Sequence, residues 1–203
     1  MNWYNWYWLA DDGRLYSSAS QSMVSADNPA YVAWCNSNTA TIWPRDDAGN
    51  QTDEALQEVL RPYGIFVNLA FYTGGARQKK VQGDIIVNGL RFSTDPLTMG
   101  SLNSASIYAQ GNAGGTFAWK LPDGSFVTLN DADVAALQNA TNEFAQNCFK
   151  CEDTTLDGIE AGTVTTRGEV DAAFAAINNS FTGLRDVKAL NQRHGPKKAS
   201  KAK

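Results

Sequence analysis

The sequence is short of most of the groups that enzyme chemistry needs. Its 203 residues hold one histidine, three cysteines, three methionines and six prolines, and only 19% are charged. The single histidine, His194, stands in a basic stretch between Arg193 and Gly195. A serine or cysteine nucleophile needs a base held within hydrogen-bond reach, so histidine-based hydrolase triads are close to excluded. No run approaches the roughly 20 apolar residues needed to cross a bilayer. The opening Met1-Asn2-Trp3-Tyr4-Asn5-Trp6 lacks the basic and apolar regions of a secretory leader, so the chain is expected to be made and folded in a cytoplasm, without membrane insertion. The Walker and dinucleotide-binding glycine patterns are absent, and Gly74-Gly75 followed by Arg77, Lys79 and Lys80 reads as a surface loop with solvated cations. No internal repeat at fixed period is found.

Charge is unevenly placed. The net charge is −4, but Asn191 to Lys203 holds Arg193, Lys197, Lys198, Lys201 and Lys203 and no acid, which leaves −9 for the rest. An acidic body repels nucleic acid, so no nucleic-acid partner is expected. The tail, spaced by glycine, proline, alanine and serine, reads as a solvated and disordered end.

What the chain does have is 43% hydrophobic residues, enough for a real core, and clear punctuation. Ile85-Ile86-Val87-Asn88-Gly89-Leu90-Arg91-Phe92 reads as a hairpin with a two-residue type I′ turn, because Asn-Gly takes positive φ at little cost. Trp119-Lys120-Leu121-Pro122-Asp123-Gly124-Ser125-Phe126-Val127 reads as a second hairpin. Between them Asp95 caps a helix through Leu97, Met99, Leu102 and Ile107. Asn130 then caps the longest element, in which Val134, Leu137, Thr141, Phe144, Cys148 and Cys151 recur every three or four residues. That stripe faces either the domain's own sheet or another helix, and its Val134, Leu137 and Phe144 are candidate contacts of a self-association seam. Thr166 and Glu169 read as a capping box for a last helix. Earlier, Asp27-Asn28-Pro29 starts a short helix, Thr52 or Asp53 caps another, Gly64 to Phe71 reads as a strand, and Thr73 to Ala76 as a loop.

The N-terminus is the least ordinary stretch. Trp3 to Leu9 is almost solidly aromatic and aliphatic, Ala10-Asp11-Asp12-Gly13 turns the chain, and Arg14 to Ser18 runs back. Strand alternation puts Trp3, Tyr7 and Leu9 on one face and Tyr4, Trp6 and Trp8 on the other. One face packs as core; the second needs a cover, which a second subunit, a fibre or a sugar would supply. Trp3, Tyr4, Trp6, Trp8 and Tyr16 are therefore the candidate contact residues, since exposed tryptophan and tyrosine build protein interfaces and sugar-binding surfaces. The same residues all become core if the hairpin is sandwiched.

Two further clusters carry weaker readings. Cys148 and Cys151 have the spacing of a redox pair or half a zinc site, but only Cys35, His194 and carboxylates remain as partners, and the pair falls inside a helix. Plain helix-face thiols fit best; the alternative is a disulfide among Cys35, Cys148 and Cys151, formed within a chain or between subunits after release into an oxidising medium. Asp46, Asp47, Asn50 and Asp53 lack the ligand spacing of an EF-hand loop, and a turn followed by a helix cap explains them. No metal, cofactor or catalytic residue is expected.

Residues from about Ala70 to Ile177 resemble DUF4376, a family found in tail and tail-fibre-associated proteins of bacteriophages and prophages. The likeness rests on Ile85 to Asp95, on Trp119-Lys120 with Asp123 to Leu129, and on the helix with Cys148-Phe149. The front part is similar to small modules that open such proteins, with an aromatic hairpin followed by Ala26-Asp27-Asn28-Pro29-Ala30-Tyr31 and Trp34. The expected fold is α+β: an N-terminal aromatic β-hairpin module over residues 1–72, a hairpin, helix, hairpin, long-helix domain with a C-terminal helix over 73–190, and a basic tail over 191–203. The resemblance implies a virion structural protein of the tail tip, baseplate or fibre-attachment region, not an enzyme. It implies work by binding other tail proteins and its own copies. A tail-fibre assembly chaperone is the alternative, and a glycan-binding or glycan-degrading tail protein a third.

Overall fold

A computed structural model describes residues 2–185. The readings of residues 186–203 as a disordered basic tail, His194 included, lie outside the described residues. Among the described residues are six α-helices and three small sheets, a mixed α+β fold. The chain forms two compact units, one from the segment up to Gly75 with Gly158–Arg167, the other from Ala76–Asp157 with the segment from Gly168 onward.

The first unit holds a four-stranded sheet in the order β3-β2-β1-β4, from β1 (Tyr7–Leu9), β2 (Leu15–Ser17), β3 (Ser22–Val24) and β4 (Thr41–Ile42). The expected hairpin forms, with Tyr7 opposite Ser17, Trp8 opposite Tyr16 and Leu9 opposite Leu15. Under one face, Trp8 and Tyr16 pack with Trp43, Leu56, Leu60, Ile65 and Val67. Over the other lies α1 (Pro29–Cys35), capped by Asn28, whose side chain accepts from the Ala30 and Tyr31 amides. Tyr31 and Trp34 of α1 both rest on the Tyr7 ring, with centroids 4.9 Å away. The cover for the second face therefore comes from the chain itself.

The strand expected over Gly64 to Phe71 does not form. α2 (Asp53–Leu60), capped by the Thr52 hydroxyl, runs into a 3-10 turn at Arg61–Tyr63, and α3 (Leu69–Val81) begins soon after. Between them the backbone bonds to side chains in place of a neighbouring strand. Buried Gln57 donates to the Ile65 carbonyl at 3.0 Å and accepts from the Val67 amide at 2.9 Å. The Phe66 amide donates to the Gln21 side chain, and its carbonyl accepts from the Tyr16 hydroxyl. Gln21 also accepts from Arg167, whose guanidinium stacks over Tyr72 at 4.7 Å. That network holds Gln21 at φ +49°, a left-handed conformation uncommon for a side chain of its kind. The loop expected at Thr73 to Ala76 is also helix, inside α3. Gly75 permits it: a Cβ there would stand 2.5 Å from the Phe66 ring.

The second unit is built on two hairpins and a long helix. β5 (Asp84–Val87) and β6 (Leu90–Ser93) turn through Asn88 and Gly89 at φ +50° and +80°, as the type I′ reading requires. β9 (Ser180–Phe181) adds to β5 in parallel, giving the order β6-β5-β9. β7 (Thr116–Lys120) and β8 (Phe126–Asn130) form the second hairpin. α4 (Pro96–Gly111) starts at Asp95, whose carboxylate accepts from the Leu97 and Thr98 amides. α5 (Asp131–Glu160) starts with a reciprocal pair, Asp133 amide to Asn130 side chain and Asn130 amide to Asp133 carboxylate, both 2.9 Å. α6 (Arg167–Ala175) buries Val170 and Phe174.

Candidate functional site

The chemistry-poor sequence directs attention to surfaces, and burial sorts the candidate contact residues. Trp8 and Tyr16 are wholly inside. Trp3 is half-buried, stacked on Tyr63 and Trp8, and Trp6 is half-buried, meeting the Trp34 ring edge-on and donating from its indole N–H to Thr41 Oγ1 at 2.8 Å. Only Tyr4, 63% exposed, stands clear. The alternation that grouped Trp3 with Tyr7, and Trp6 with Trp8, fails for a local reason. The Asn5 amide bonds to the Asn2 carbonyl, so residues 2–5 turn, and side chains take the two-residue period only from β1 onward.

Other side chains take the exposed place. Leu9 and Ile42 are register partners of β1 and the edge strand β4, and Ile42 is 71% exposed. Val32 of α1 is exposed as well. With Tyr4 and Met23 these residues are the large apolar side chains of the first unit that are exposed among the described residues.

Val134, Leu137 and Phe144 are buried in the second unit's core with Ile85, Phe92, Leu102, Trp119 and Leu129. The stripe on α5 packs on the domain's own strands and is not a self-association seam. The most exposed large apolar residues of this unit lie on α4: Leu97 at 81%, Ile107 at 62% and Tyr108 at 58%. The sequence places Leu97 and Ile107 on this helix with Met99 and Leu102 without saying which of them face the core. The available signal was charge: residues 96–119 contain no Asp, Glu, Lys, Arg or His, the longest such run in the chain.

The polar candidates resolve into structure. Asp46 accepts from the Ala48 and Asn50 amides and so closes its own turn, while Asp53 pairs with Arg14 at 3.1 Å. Among the described residues no group of three or more His, Cys, Asp or Glu is placed to hold a metal ion. Arg77 is not a solvated loop cation: it sits in α3, pairs with Glu152 at 2.8 Å and stacks over Phe149 at 5.0 Å. All three cysteines are free, with Cys35 exposed, Cys151 half-buried and Cys148 buried. Burial pushes the Cys148 thiol up, away from the reactive thiolate.

Two polar clamps fasten the end of the described chain. Burial alone would raise the Asp133 carboxyl, but hydrogen bonds from the Arg185 side chain and from the Asn130 and Arg185 amides outweigh it and hold it below the ordinary value. The Asn88 side chain donates to the Leu184 carbonyl at 2.6 Å. Beside them, α5 and the 178–183 segment bound a shallow groove of about 440 Å³, whose walls include Asn139, Glu143, Asn178 and Thr182. Asn178 bonds both the amide and the carbonyl of Ser180, so one residue of the outer edge of β9 is capped from within.

The hairpin, helix, hairpin and long helix of the second unit match a family model, Domain of unknown function (DUF4376), over residues 74–178. The chain belongs to the DUF4376 family. No curated protein and no solved structure matches it. The DUF4376 match spans α4, both hairpins and α5, and so includes the Asn88-Gly89 turn and the exposed α4 residues. Among the described residues no helix is long and apolar enough to cross a membrane.

Proposed function

We propose that this DUF4376 protein is a structural component of a bacteriophage virion, in the tail tip, baseplate or fibre-attachment region, made in the host cytoplasm and acting by binding other tail proteins. The reading rests on the resemblance of the turn and packing motifs within residues 74–178, the span of the DUF4376 match, to those of tail-associated proteins. The surface of the first unit supports it. Tyr4, Leu9, Val32 and Ile42 leave apolar area in water that a neighbouring protein would cover. Tyr4 and Ile42 take over the contact role first read into Trp8 and Tyr16.

Quantitative mass spectrometry of gradient-purified particles, referenced to the major tail protein, tests the proposal. A fixed copy number places the chain in the particle. Presence in the lysate and absence from particles overturns the structural role in favour of an assembly chaperone. Ile42→Asp is the companion variant, because Ile42 is exposed and its replacement leaves the core intact. Folded Ile42→Asp protein should fail to enter particles, and normal incorporation would sink the contact assignment.

A further inference from the structure

We infer that α4 is a self-association helix, pairing antiparallel with α4 of a second copy about a two-fold axis at Ser104. The inference is independent of the virion reading and holds for the purified protein.

The exposed side of α4 carries a stripe of Leu97, Gly100, Ser101, Ser104, Ile107, Tyr108 and Gly111 at three- and four-residue spacing, with exposed Pro96, Asn103 and Gln110 along its margin. The opposite side carries Leu102, buried, with Met99 and Ala105 packed against the core. Large residues stand toward both ends of the outward face and small ones between. Running a second copy the other way about Ser104 sets Leu97 against Gly111, Tyr108 against Gly100, Ile107 against Ser101, and Ser104 against itself. Each large side chain then meets a small one, and each contact occurs twice, which is the requirement of a two-fold interface.

Two independent observations favour a copy of this chain as the occupant. The first is Gly100. Glycine inside a helix costs about 1 kcal/mol relative to alanine. Gly100 has no positive φ, and a Cβ there would meet nothing within 4 Å, so the fold of one chain gives no reason for it. A close approach from outside does. The second is charge. Residues 2–185 carry a net −9, so two copies repel through charged faces, whereas α4 and the residues up to Trp119 carry none. The stripe serines add no polar penalty, since Ser101 and Ser104 donate to the Leu97 and Gly100 carbonyls of their own helix.

Sedimentation equilibrium of the full chain across the micromolar range tests this, with three variants. The wild-type chain should be dimeric. Ser104→Glu places two carboxylates on the axis and should raise the dissociation constant by about a hundredfold or more. Gly100→Leu, which has open space in the single chain and a better helix former, should retain or raise the melting temperature while abolishing the dimer. Ala135→Glu adds the same charge at an exposed position of α5, off α4, and should remain dimeric. A monomeric wild type, a Ser104→Glu or Gly100→Leu chain that stays dimeric, or equal dissociation by Ala135→Glu would each overturn the inference. Circular dichroism of every variant separates loss of pairing from loss of fold.

Discussion

Gln57→Leu is the substitution that most directly tests how the first unit is held. Gln57 is buried on α2, and its amide supplies a donor to Ile65 and an acceptor to Val67, both inside the core. Leucine fills nearly the same space and offers neither bond. A buried carbonyl and a buried amide then lose their partners, each at about 1–3 kcal/mol, or about 2–6 together. The leucine side chain recovers about 1–2 kcal/mol through burial of apolar area. The net loss is then about 2.5 kcal/mol at the middle of these ranges, which together span about 0–5, and it corresponds to a fall in melting temperature of about 10 °C or more for a unit of this size. Urea unfolding followed by tryptophan fluorescence reads it well, because Trp3, Trp6, Trp8, Trp34 and Trp43 lie in this unit and Trp119 in the other. Gln57→Glu sharpens the test: its ionised carboxylate still accepts from Val67 but meets the Ile65 carbonyl with no proton, so its deficit should shrink on acidification. A Gln57→Leu protein within about 0.5 kcal/mol of wild type would contradict this account, since both backbone groups would have to find other partners.

Three further outcomes follow from the geometry. Gly75→Ala should destabilise by about 1–2 kcal/mol, because the clash with the Phe66 ring exceeds the gain in helix propensity, and Phe66→Leu in the same chain should restore stability in a double-mutant cycle. Asp133 has a folded pKa below its ordinary 3.8, so the unfolded chain binds more protons; its contribution is fully present above that value and lost as pH falls through the depressed one. Asp133→Asn should therefore cost about 1–3 kcal/mol at neutral pH, less than a fully buried pair because Arg185 is nearly half exposed, and the two stability curves should converge in acid. Alkylation with a maleimide should label Cys35 first, Cys151 more slowly and Cys148 only in denaturant; rapid labelling of Cys148 in the native chain would contradict its burial.

The parts whose causes are local were legible in the residues alone. Asn88-Gly89 and Asp123-Gly124 set their turns because the backbone angles depend on those residues alone, and Asn28, Thr52 and Asp95 cap their helices through bonds two or three residues long. The α5 stripe was legible for the same reason, since helix period is a property of one segment, and so was the DUF4376 resemblance that those motifs carry. Which apolar face meets which partner, by contrast, is settled by how distant segments pack. Val134, Leu137 and Phe144 look as sticky in sequence as Leu97 and Ile107, yet the strands of the unit cover the first group and leave the second in water. Trp8 and Tyr16 are core because α2 and Trp43 lie under them, and Tyr7 is covered because α1 folds back across it. The apolar Gly64–Phe71 stretch is not a strand because Gln57, Gln21 and Tyr16 take its hydrogen bonds first. Burial and hydrogen-bond pairing are properties of pairs of segments far apart in sequence, and no reading of one segment contains its partner.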